Sequence, residues 1–104
     1  MIVGYFIRSV TLSSRTLRLP GAWEAVMVAV KCSRRVVLHK SVHSVEDFVL
    51  ITSWMPRGGT VVVENPALEI DEETVATLRL QHRASKLQVL RRTGDGDYER
   101  VFSG

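Results

Sequence analysis

The sequence predicts an α+β fold: a two-layer sandwich in which a mixed or mostly antiparallel sheet of about five to six strands carries two helices on one face. Three observations lead there. Short β-branched runs recur along the chain, two segments carry helix-capping signals, and Gly/Pro punctuation separates them at short intervals. The chain has 104 residues, 45% hydrophobic and 24% charged, enough for one core, so residues 1–104 read as a single domain.

Taken in order, residues 2–12 alternate apolar positions on both faces and read as a strand. A loop at Ser13-Ser14-Arg15 leads to a short extended piece, Thr16 to Leu19, ended by Pro20-Gly21. Residues 22–31 allow either a strand or a helix. Val26, Val28 and Val30 favour a buried strand; the interleaved alanines permit a helix. The strand is preferred, because Cys32-Ser33-Arg34-Arg35 then forms a hairpin turn into a strand from Val36 to Val42.

Ser44, with Asp47 three residues on, reads as a capped helix start, and Pro56 stops that helix. Thr60 to Glu64 is a short strand buried on both sides. Asp71 caps a second helix, with Glu72 and Glu73 in its first turn and Ile70 placed to staple onto Val75. That helix is expected to reach about Ser85, with Ala76, Leu80, Ala84 and Leu87 as its apolar face. Strands from Leu87 to Arg92 and from Tyr98 to Phe102 follow, joined by the turn Thr93-Gly94-Asp95-Gly96-Asp97.

The apolar runs are too short for a secretory core or a membrane span, and the single cysteine, Cys32, permits no internal disulfide. A cytoplasmic protein without membrane contact is therefore expected. Net charge is +3, but it is distributed in blocks. Residues 1–63 carry +5, residues 64–73 carry −5, residues 74–94 carry +5 and the last ten carry −2. Such alternation suits a protein partner, self-association or a polyanion.

Arg34 and Arg35 at the expected hairpin tip, with Arg79, Arg83 and Lys86 recurring at helical spacing, form the candidate nucleic-acid surface. Trp54, Tyr98, Arg100 and Phe102 form the candidate partner-binding surface, since Trp, Tyr and Arg dominate binding hot spots. Cys32 lies among Lys31, Arg34 and Arg35, which favour its thiolate, and the expected hairpin would bring His39 across from it. Cys32, His39 and His43 lack the paired spacing of a zinc site.

Glu64 ends a Val-Val-Val strand, and Asp95-Gly96-Asp97 follows further on. Over that handful of residues the pattern resembles the toprim domain of primases and topoisomerases, which implies magnesium-bound carboxylates and phosphoryl chemistry. The chain between the two motifs is short for that domain, and the Asp pair sits among turn glycines; the turn reading is preferred. No phosphate-cradling glycine loop, dinucleotide fingerprint or nucleophile elbow is present.

The expectation is a non-catalytic binding domain, with no cofactor and no metal, acting through protein contact or as a homodimer. The alternative is nucleic-acid binding through Arg34, Arg35, Arg79, Arg83 and Lys86.

Overall fold

The strands lie in the sheet in the order in which the chain makes them. The computed structural model describes residues 9–55 and 57–104. The elements are β1 (Val10–Leu12), α1 (Ser14–Leu17), α2 (Ala22–Lys31), β2 (Arg35–Leu38), α3 (Val45–Ser53), β3 (Gly58–Val63), α4 (Glu72–Gln81), β4 (Lys86–Arg92) and β5 (Tyr98–Ser103). The sheet runs β1-β2-β3-β4-β5. The pairs β1–β2, β2–β3 and β3–β4 are parallel, and β4–β5 is an antiparallel hairpin.

Parallel neighbours cannot be joined by a tight turn, so each of the three parallel steps carries a helical crossover. Crossovers of this kind are right-handed, and three of one hand in one direction place their helices on one side of the sheet. The core records that placement. Leu12, Val36, Leu38, Val61, Val63, Leu87, Val89 and Phe102 form one buried cluster with Leu17, Val26, Val30, Phe48, Ile51 and Leu78 from the helices. By register, Val36, Val61, Val89 and Phe102 are aligned, so these strand residues share a face. Val62 is buried but stands outside this cluster, because it points to the opposite face with Val37 and Leu90.

The fold is α+β with a five-stranded mixed sheet. The mixed sheet of five strands agrees with expectation; of the two sheet types expected, the mostly antiparallel one is not formed, since three of four pairings are parallel, and four helices replace two. One segment accounts for most of the difference. Residues 22–31 are helix α2, not a strand. Ala22, Val26 and Val30 recur every four residues and face the core, whereas Val28 points outward and is 57% exposed. Valine costs a helix at most about 0.7 kcal/mol per residue. Burying a valine side chain returns about 1.5–3 kcal/mol, so packing outweighs propensity here. With α2 helical, no hairpin forms at Cys32–Arg35, and β2 ends at Leu38.

Thr16 belongs to the short helix α1 rather than to an extended piece, and Ser13 caps it by accepting from the Thr16 N–H at 3.2 Å. The other two caps form at the residues that signal them: Ser44 Oγ accepts from Asp47 N–H and Asp71 Oδ1 from Thr74 N–H. Helix α4 ends at Gln81, short of Ser85. Its buried side is Leu78, with Val75 and Ile70 packed nearby, while Leu80 is 69% exposed. The expected face fails inside the helix itself: Val75 and Leu78, three residues apart, turn to the core with His82 after them, which leaves Ala76 and Leu80 exposed, and the helix ends before Ala84 and Leu87. The expected strand over residues 2–12 is seen from Val10; its earlier part lies outside the described residues.

Candidate nucleic-acid interface

Topology decides where the cations go. In a parallel sheet, the segments that enter successive strands meet at one edge. At this amino-terminal edge the chain enters β2 through Lys31, Arg34 and Arg35, enters β3 through Arg57, and enters β4 through Arg79, Arg83 and Lys86. All seven are exposed, and residues 31–35, 57–60 and 79–88 contain no carboxylate. The register makes the convergence close. Lys86 pairs with Gly58, and Arg35 pairs with Thr60, so neighbouring entries are one inter-strand spacing apart, about 4.8 Å.

Gly58 and Gly59 permit that approach. At Gly59, with φ of +129°, a Cβ would lie 2.6 Å from the Arg34 carbonyl oxygen; at Gly58 it would lie 2.8 Å from the Lys86 nitrogen. A cleft of about 880 Å³ opens beside them, lined by Lys31, Cys32, Arg34, Met55 and Arg57 among others.

Some of this charge complements the carboxyl ends of α2, α3 and α4, which also lie at this edge. Acids gather at the other edge, where the helices begin: Glu46 and Asp47 in the first turn of α3, Glu72 and Glu73 in that of α4. Arg91 and Arg92 lie towards that side too, but they pair with Glu99 and Glu64. The carboxylates thus gather at the edge opposite the seven cations, where Arg15, Arg18 and Lys40 also lie among them.

The other face of the sheet, helix-free among the described residues, continues the basic edge. By register it carries Arg35 and Val37 on β2, Thr60 and Val62 on β3, Lys86, Gln88, Leu90 and Arg92 on β4, and Tyr98 and Arg100 on β5. Tyr98 donates to Glu64 Oε1 at 2.8 Å, and Arg92 Nη1 lies 3.3 Å from Glu64 Oε2. That hydrogen bond to the carboxylate is the main cause holding the Tyr98 phenol above its ordinary pKa. Glu64 is the one acid on this face among the described residues, and both its oxygens are engaged.

The expected sites are thus rearranged. The five cations Arg34, Arg35, Arg79, Arg83 and Lys86 come to one edge, and Lys31 and Arg57 join them. Lys31 was hidden because its segment reads as a strand; Arg57 is a lone cation after a proline and gives no sequence signal. The partner-binding set is split. Tyr98 and Arg100 are exposed on the helix-free face, Phe102 is buried in the core, and Trp54 is half-buried against Trp23, edge to face at 5.6 Å.

Cys32 and His39 stand at opposite ends of β2, since the hairpin that would have joined them is absent. His39 instead meets Ser41 Oγ at 2.8 Å within the loop after β2, and His43 meets Asn65 at 2.9 Å, which ties that loop to the one after β3. Asp95 and Asp97 lie in the β4–β5 turn, closed by Thr93 N–H donating to the Asp97 carbonyl at 2.7 Å. Among the described residues no three His, Cys, Asp or Glu side chains group to hold a metal ion, and no helix is long and apolar enough to cross a membrane. No family model, curated protein or solved structure matches the chain.

Proposed function

We propose that this domain binds a polyanion, the phosphate backbone of nucleic acid, through the amino-terminal edge of its sheet. The observation that carries the reading is the meeting of three separate segments at that edge: Lys31 to Arg35, Arg57, and Arg79 to Lys86, with no carboxylate in any of them. Phosphate binding is driven by release of condensed counterions, which needs several exposed cations and no buried machinery. The carboxylates gathered at the opposite edge orient an approaching polyanion towards the basic one. The role is binding rather than catalysis.

The test is a titration of labelled oligonucleotides followed by anisotropy across a salt series. Affinity should fall linearly on log–log axes, with a slope of about −0.7 to −0.9 for each phosphate contacted. Replacing Arg79 and Arg83 together by Gln should flatten the slope by about two contacts. No binding at low salt rejects the reading.

A second reading, self-association, draws on one observation: β5 is the last strand of the sheet, and its outer edge has no strand partner among the described residues. Light scattering at rising concentration tests it; a monomer throughout removes it.

A further inference from the structure

We infer that the nucleic acid bound here is single-stranded and crosses the helix-free face of the sheet, with the Tyr98 ring as its stacking surface. The inference rests on the polyanion reading and adds the class of nucleic acid. Arg35 and Lys86 belong to both the basic edge and this face, because they are the first residues of β2 and β4. A strand anchored at the edge therefore has a continuous route. From Lys86 to Arg92 the route follows β4 for about 20 Å, and Tyr98 and Arg100 flank its far half.

The chemistry of the route fits unpaired nucleotides. Its cations are Arg35, Lys86 and Arg100, with Arg92 already neutralising Glu64. Between Lys86 and Tyr98 the half-buried Leu90 on β4 offers an apolar contact for a base, whereas Val62 on the next strand is buried and takes no part. Its aromatic is Tyr98, 47% exposed, whose hydroxyl is fixed by Glu64 while the ring stays accessible. A single strand presents base faces that stack on such a ring, whereas a duplex keeps them inside its own stack. A duplex would use the charged edge and gain nothing from Tyr98.

The experiment compares a labelled oligo-dT with a blunt duplex of equal length, by anisotropy at one low salt concentration, for the full chain and for Tyr98→Ala, Tyr98→Phe and Arg100→Gln. The single strand should bind more tightly than the duplex. Tyr98→Ala should weaken single-strand binding by roughly 5-fold or more, the lower end of what one stacked base contributes, and leave duplex binding unchanged. Tyr98→Phe keeps the ring and should retain the single-strand affinity. Arg100→Gln, at an exposed position, should weaken single-strand binding and serves if Tyr98→Ala does not fold. Equal affinity for strand and duplex, or no effect of Tyr98→Ala and Arg100→Gln on folded protein, overturns this inference while the edge reading stands. Absence of any binding overturns both.

Discussion

Tyr98, the first residue of β5, reaches across β4 to hydrogen-bond Glu64, the residue that follows β3, at 2.8 Å. Arg92 on the strand between them meets the other carboxylate oxygen at 3.3 Å. Three strands are thereby clasped at one corner of the helix-free face, and the clasp has a pH signature. The bonded phenol has its pKa raised, so the folded state holds its proton more tightly than the unfolded chain does. This contribution to stability is present below pH 10 and is lost as pH rises through the folded-state pKa. Phenolate absorbance should show a late-titrating tyrosine that disappears in Tyr98→Phe; an unchanged titration in that variant would contradict the clasp.

His82 gives the opposite pH dependence. It is buried at the end of α4, with Nδ1 3.0 Å from Ser85 Oγ, and desolvation lowers its pKa below 6.5. Folded His82 resists protonation, so its stabilising contribution is complete above pH 6.5 and declines as pH falls through the folded-state value. Urea unfolding at pH 5 and pH 8 should show lower stability in acid, and His82→Gln should reduce the difference.

Helix α4 offers a contrast between two leucines two residues apart. Leu78 is fully buried and Leu80 is 69% exposed. Leu78→Ala should cost about 2–5 kcal/mol, whereas Leu80→Gln should stay within about 0.5 kcal/mol. Chemical denaturation measures both, and equal effects would contradict the observed helix face.

Gly59, in β3, packs against the Arg34 carbonyl at the entry to β2. A methyl group there meets the Arg34 carbonyl and the Met55 methyl at 2.6 and 2.9 Å, on a backbone with positive φ. Gly59→Ala should destabilise by about 1–3 kcal/mol. Gly94, with nothing within 4 Å of its virtual Cβ, serves as the tolerant control.

Arg57 tests the convergence at the basic edge, because the sequence gives no reason to group it with Arg34 or Lys86. Arg57→Gln should reduce the salt slope of nucleic-acid binding by about one contact without changing the melting temperature. A slope identical to that of the unaltered protein would place Arg57 outside the interface.

Local chemistry was legible in the chain itself. The caps at Ser44 and Asp71, the stop after α3, and the β4–β5 hairpin depend on residues within a few positions of one another, and the sequence displays them directly. The cations were legible as a list, but not as a surface. Whether residues 22–31 become helix or strand depends on β1 and β2 running parallel, a relation between segments more than twenty positions apart, as in the pairing of Val10 with Val36. That relation converts a hairpin into a crossover. It sends Cys32 and His39 to opposite edges, and it aligns the strand entries so that Lys31, Arg57 and Lys86 become neighbours. Short-range hydrogen bonding can be read from residue order, whereas the meeting of charges carried on separate crossovers is settled only when the strands choose their partners.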